Sequence, residues 1–203
     1  MPLLNPGDRF PSLTVPSLGG GSLALPDALQ GHFGIILFYR GHWCPYCNAQ
    51  LRAFQRAQDT LNGLDAKVMA LTVEDEATTR ALADKHGLTF PLGHSVDADE
   101  IAAATGAFVN QDPKYLQSTG FVLDGDGKVV VSVYSSGAIG RLVPDDVTGM
   151  IRYIREHAAG LATPAAHGPQ QAETRHNTRF PPASGRVPRS PRPTCRDSDP
   201  IGR

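Results

Sequence analysis

One junction constrains this chain more than any other: the apolar run Phe33 to Tyr39 breaks at Arg40-Gly41, and Cys44 and Cys47 follow directly. A run without polar alternation predicts a central strand covered on both faces. From Pro45 to about Asn62 the apolar residues Leu51, Phe54, Ala57 and Leu61 recur every three or four positions, which predicts a helix. Pro45 suits the first turn of that helix, where a missing N–H costs nothing. The cysteines therefore stand where a buried strand hands over to a helix N-terminus, facing unpaired N–H groups and the positive end of the helix dipole. Such cysteines fall in pKa from about 8.5 to roughly 3.5–7.5, and the thiolate is the reactive species. Cys47 lies in line with Leu51 and Phe54 on the apolar stripe, whereas Cys44 sits at the helix tip and is expected to be the more accessible sulfur.

The remaining pattern completes an α/β chain. Leu13 to Val15 and Ser22 to Leu25 read as extended segments flanking Gly19-Gly20-Gly21, and Ala66 to Val73 as a second buried strand. Glu76 to His86 reads as a helix closed by Gly87, Phe90 to Leu92 as a short extended piece, and Asp97 to Thr105 as a further helix. Phe121 to Asp124 and Lys128 to Tyr134 form a second hairpin across Gly125-Asp126-Gly127, and Pro144 to His157 is a last amphipathic helix. Alternating strands and helices favour parallel pairing in part, giving a central mixed sheet flanked by helices. One domain over residues 1–160 is expected, followed by a disordered tail at 161–203, where eight prolines and seven arginines leave little apolar surface to bury.

Charge and cysteine usage narrow the function classes. Residues 1–160 carry 12 Lys and Arg against 17 Asp and Glu, so no basic stripe points to nucleic acid. Met1 to Pro11 lacks the cationic start and apolar core of a signal peptide, and no stretch nears the roughly 20 apolar residues of a membrane span. Three cysteines, two of them close together, suit reactivity in a reducing compartment rather than a secreted scaffold, so a cytoplasmic location is expected. Zinc is the rival use of a C-x-x-C pair, with His42 as a third ligand, but no second pair supplies a fourth. Arg40 can lower a thiol pKa or orient an oxygen, or simply make a surface ion pair. Trp43 and Tyr46 are loop packing or a platform beside the sulfurs, His42 is an exposed loop histidine or a proton shuttle, and Cys195 falls in the tail.

The segment FYRGHWCPYC resembles the active-site stretch of the alkyl hydroperoxide reductase and thiol-specific antioxidant family, the peroxiredoxins, whose pattern is Pro, three residues, Thr, two residues, peroxidatic Cys. Aligned on Phe38-Tyr39, Cys47 takes the peroxidatic place, Cys44 replaces the Thr and Arg40 replaces the Pro. GDRFPSLTVPSL is similar to the family's N-terminal hairpin, and TFPLGHSVDADEIAAATGAF and GFVLDGDGKVV to further family segments, so the likeness spans about residues 5 to 157. The family's Arg, three residues before the Phe of its late strand, is replaced by Ser118. The resemblance implies a thioredoxin-like fold and a thiol-dependent antioxidant oxidoreductase that reduces hydroperoxides or disulfides through a reversible Cys44–Cys47 disulfide. It implies no cofactor and no metal, a thioredoxin- or glutathione-type reductant, and allows a homodimer. Two registers stay open. Cys47 is attacked by peroxide and Cys44 resolves, or Cys44 attacks a disulfide and Cys47 resolves. The loss of the family's Arg implies modest peroxide reduction unless Arg40 reaches over Cys47. A non-catalytic redox sensor or binding module using the same dithiol is the alternative function.

Overall fold

The structure, a computed structural model, describes residues 3–161, with side chains through 157. The Pro- and Arg-rich stretch beyond it, Cys195 included, lies outside the described residues. The chain enters through an antiparallel hairpin, β1 (Leu13–Pro16) and β2 (Ser22–Leu25), and after a short 3₁₀ turn reaches β3 (Phe33–Phe38). There follow α1 (Pro45–Arg56), α2 (Gln58–Gly63), β4 (Ala66–Leu71), α3 (Glu76–His86), β5 (Leu92–Gly93) and α4 (Ala98–Thr105). A small hairpin, β6 (Val109–Gln111) and β7 (Lys114–Leu116), precedes β8 (Thr119–Leu123), β9 (Val129–Tyr134) and α5 (Pro144–Leu161).

The main sheet runs β5-β4-β3-β8-β9, with β3 at its centre. β3 pairs in parallel with β4, from Phe33↔Ala66 to Phe38↔Leu71, and antiparallel with β8, from Gly34↔Leu123 to Phe38↔Thr119. This is the mixed sheet that the sequence pattern implies. Both faces of β3 are covered, which is why its side chains read as an unbroken apolar run. Period-two alternation sends Ile35, Leu37 and Tyr39 into one core with Leu51, Phe54, Val122 and Ile151, and Ile36 and Phe38 into another with Phe10, Met69 and Phe121. Phe121 anchors the second core through edge-to-face contacts with Phe10, Phe38 and Tyr134 at 5.2, 5.5 and 5.6 Å.

Two departures from the sequence pattern shape the site. The single helix expected over 45–62 is two helices, because Ala57 (φ −87°, ψ 1°) leaves the helical basin and lets α2 turn inward to bury Leu61. Apolar spacing continues across the break and so hides it. The β6–β7 hairpin had no clear sequence signal, since only three residues pair on each side. It matters because it carries Tyr115 toward the end of β3.

Candidate active site

The cysteine loop is built by the way β3 ends. Tyr39 still donates to Leu71 O at 3.1 Å, and the chain then turns at Gly41, whose φ of +156° favours glycine. A Cβ there would stand 2.5 Å from Trp43 Nε1 and 2.8 Å from Glu74 Oε1, so no side chain fits. Cys44 N–H closes the turn onto Gly41 O at 3.1 Å. Cys44 is the N-cap of α1, with extended φ/ψ (−84°, 109°) and Pro45 directly after it.

As an N-cap, the Cys44 sulfur turns inward to accept from Cys47 N–H at 3.3 Å, and the Cys47 thiol reaches it at 2.7 Å. Cys44 is less buried than Cys47 only marginally, 1% exposed against 0%, and neither sulfur stands open to solvent. Tip position suggested exposure, but the capping bond directs the side chain into the core. Both cysteines are free thiols in this structure.

The electrostatics separate the two sulfurs. Burial works against a thiolate on Cys44, but the Cys47 thiol and backbone N–H, aided by the Arg141 and Arg40 charges, outweigh it and hold its pKa below the ordinary thiol value. Burial pushes Cys47 the other way, as does the neighbouring Cys44, against the pull of Arg141 and of Arg40 N–H. Both directions favour a thiolate on Cys44 over one on Cys47.

Arg40 lies beside the pair, and its backbone rather than its side chain meets a sulfur: Arg40 N–H donates to Cys47 Sγ at 3.4 Å. The guanidinium is held elsewhere, with Nη2 donating to Tyr115 Oη at 2.7 Å and its carbon 4.9 Å from the ring centres of both Trp43 and Tyr115. Trp43 meets Tyr115 edge to face at 5.1 Å, so it serves as packing for Arg40. Tyr46 is half exposed and lines a groove of about 280 Å³ with Ala49, Ala53, Ile139, Arg141 and Val143.

Three participants were not identified from the sequence. Glu74, just beyond β4, accepts from His42 N–H at 2.8 Å and pairs with His42 Nδ1 at 2.6 Å, while Asn48 Nδ2 donates to His42 O at 2.8 Å. The loop before Cys44 is thereby tied to both β4 and α1. The His42 ring is held by Glu74, and no group of three metal-ligating side chains stands together among the described residues. Tyr115 is the second participant and Arg141, in the loop between β9 and α5, is the third. Neither carries a local signal, because each arrives from a remote segment. Ser118, where the resemblance placed a missing Arg, is buried and its hydroxyl has no partner.

The AhpC/TSA family profile matches residues 6–132. A peroxiredoxin-named protein of Mycobacterium tuberculosis is 30% identical over 145 residues, covering 68% of this chain and 90% of its own. A peroxiredoxin of Methanothermobacter thermautotrophicus is 27% identical over 170 residues, covering 81% and 79% respectively. Among solved structures, Mycobacterium tuberculosis AhpC shares the fold with a TM-score of 0.65 at 19% identity, over 77% of this chain and 96% of that one. Sequence and fold agree, and the chain belongs to the AhpC/TSA family as a peroxiredoxin-like enzyme of the thiol peroxidase class.

Proposed function

We propose that the protein reduces hydroperoxides with Cys44 as the attacking thiolate and Cys47 as the resolving thiol. The observation that carries this reading is the double donation from Cys47 to Cys44, through N–H at 3.3 Å and thiol at 2.7 Å, which stabilises charge on Cys44. The Cys44 thiolate attacks the terminal oxygen of the peroxide, an S–O bond forms as the O–O bond breaks, and the leaving oxygen departs as water or alcohol after taking a proton. Cys44 becomes a sulfenic acid. Cys47 then attacks that sulfur, its thiol proton leaves with the hydroxyl as water, and the Cys44–Cys47 disulfide forms. From 2.7 Å the sulfurs need close by only a fraction of an ångström to reach a disulfide length of about 2.05 Å, so α1 does not have to unwind.

An external thioredoxin-type dithiol, or two glutathione thiols acting in turn through a mixed disulfide, returns the pair to the reduced state, as expected for a cytoplasmic enzyme. Burial of both sulfurs favours a small peroxide over a folded protein disulfide as the oxidising substrate, and reduction by a thioredoxin-type protein requires the loop before Cys44 to open. Two copies of the chain as a homodimer are compatible with this chemistry, which is complete within one chain.

The test is turnover. Purified protein with a thioredoxin or glutathione reducing system is expected to consume hydrogen peroxide or an organic hydroperoxide catalytically, with activity lost in both single Cys→Ser variants. Oxidation that stops after one equivalent, whatever the reductant, would place the protein with the redox sensors instead.

A further inference from the structure

We propose that the apolar groove between α1 and the β9–α5 loop is the docking surface for a protein dithiol, a thioredoxin-type reductant whose own cysteine pair is framed by apolar side chains. This rests on the disulfide cycle above, and it names the partner of the reducing half and the residues that receive it.

Exposed apolar surface is gathered around the cysteines. Among the described residues seven large apolar side chains are exposed, and four of them are Trp43 at 48%, Tyr46 at 50%, Ile139 at 74% and Val143 at 43%. Trp43 and Tyr46 flank Cys44 in the chain. Tyr46, Ile139 and Val143 line one groove of about 280 Å³ with Ala49 and Ala53 of α1. The loop side of the groove is fixed to the helix side, because Gln50 Nε2 donates to Leu142 O at 2.9 Å and Leu142 packs onto Gly120 of β8. A contiguous apolar patch held open beside a reactive pair marks a site of contact with another molecule.

Area and charge select the occupant. The four side chains together expose on the order of 400 Å², about half of what each partner gives to a stable interface and within the size of redox encounters. Such a patch suits a protein that arrives, exchanges and leaves, rather than a permanent second copy of the chain. The charged groups that border it are cationic: Arg141 in its lining and Arg40, 4.9 Å from the Trp43 ring centre. The body around them carries 12 Lys and Arg against 17 Asp and Glu over residues 1–160, so a neutral or acidic rim on the partner is favoured here and repelled elsewhere. Glutathione, with two carboxylates and an ammonium on three residues, would give up hydration for a groove that is almost wholly apolar.

In the exchange, once the loop before Cys44 has opened, the partner's thiolate attacks Cys44 Sγ. An S–S bond forms between partner and Cys44, the Cys44–Cys47 bond breaks, and Cys47 leaves with the electron pair and takes up a proton. Its sulfur returns to Arg40 N–H, 3.4 Å away in the reduced pair. The partner's second thiol then gives up its proton and attacks its own bonded sulfur, and Cys44 departs as thiolate, a good leaving group because its pKa is lowered. The chain gains two electrons and the partner leaves as a disulfide.

The experiment starts from protein oxidised to the Cys44–Cys47 disulfide with diamide, so that it does not depend on peroxide. Second-order rate constants for reduction are measured with a bacterial thioredoxin, with glutathione and with dithiothreitol. The wild type is expected to react with thioredoxin at least tenfold faster than with glutathione. Ile139→Asp combined with Val143→Asp is expected to slow thioredoxin at least fivefold while dithiothreitol stays within twofold, and Ile139→Leu to keep both rates within twofold. A smaller margin over glutathione, a smaller loss with thioredoxin, or a dithiothreitol rate that falls alongside it would overturn the proposal. So would a wild type that sediments as a dimer and a double variant that sediments as a monomer, since a second copy would then fill the groove. If the double variant fails to fold, Ile139→Asp alone, at the most exposed of the four positions, decides by the same comparison. A wild type that passes these tests but turns over no peroxide removes the peroxidase reading and keeps the surface, whereas an active peroxidase with an indifferent double variant removes only the surface.

Discussion

Cys47 donates to Cys44 twice, through its backbone N–H at 3.3 Å and its thiol at 2.7 Å, and so makes its partner the more acidic sulfur. The pH dependence follows with a definite sign. A lowered pKa means that Cys44 is already ionised below the ordinary thiol value of about 8.5, so the peroxide rate rises as pH rises through the lowered value and is flat above it. Cys47→Ala removes the thiol donor but keeps the N–H, and the midpoint of the Cys44 titration, followed by thiolate absorbance, is expected to move upward. A midpoint unchanged or lower in that variant contradicts the assignment.

Gly120→Ala tests the platform under the Arg141 loop. The added methyl meets Leu142 at 2.7 Å in a fully packed core, so the variant is expected to lose about 1–3 kcal/mol of stability in urea unfolding. It should also lose peroxide activity beyond what stability explains, because Leu142 cannot move without Arg141. Full activity at reduced stability would separate the loop position from the chemistry.

Glu74→Ala tests the tie on the cysteine loop. The carboxylate holds both His42 N–H and the His42 ring, and its loss is expected to cost about 1–2 kcal/mol. Released from β4, the loop should admit larger reagents, and alkylation of Cys44 by a maleimide is expected to speed at least fivefold. Unchanged maleimide kinetics would show that Asn48 alone holds the loop.

Arg40→Met compares the two arginines near the sulfurs. Because Tyr115 Oη engages Arg40 Nη2 at 2.7 Å, removing the Arg40 side chain is expected to slow peroxide reduction by about tenfold or less, through charge on the thiolate. Stopped-flow oxidation of this variant beside Arg141→Met, whose charge also bears on Cys44, ranks the two directly. A loss of about a hundredfold or more for Arg40→Met would instead give the Arg40 guanidinium a direct part at the leaving oxygen.

What the sequence made legible was local. The run Phe33 to Tyr39, the cysteine spacing and Pro45 are signals carried within one strand–loop–helix unit, and β3 and the start of α1 stand where those signals place them. What escaped was set by distant segments. Arg141 sits in a loop without periodicity, and its neighbour Leu142 is placed by a contact with Gly120 that no local pattern encodes. Tyr115 arrives on a hairpin of three-residue strands, too short to show alternation. Glu74 reads as one acid among several before α3, yet it is the acceptor for the turn that begins at Gly41. That Cys44 is buried nearly as fully as Cys47 has a physical reason of the same kind, since helix-tip position alone does not say that the sulfur will serve as the cap.

The central claim concerns which sulfur meets the peroxide, and one measurement addresses it. Each single variant, Cys44→Ser and Cys47→Ser, is mixed in reduced form with one equivalent of hydrogen peroxide, and the sulfenic acid is trapped with a dione and located by mass spectrometry. Cys47→Ser is expected to give stoichiometric sulfenate on Cys44 at a rate within about tenfold of wild type, while Cys44→Ser reacts at least a hundredfold more slowly. Rapid sulfenate formation on Cys47 in the Cys44→Ser variant, with Cys47→Ser inert, would contradict the account and assign the attack to the second cysteine.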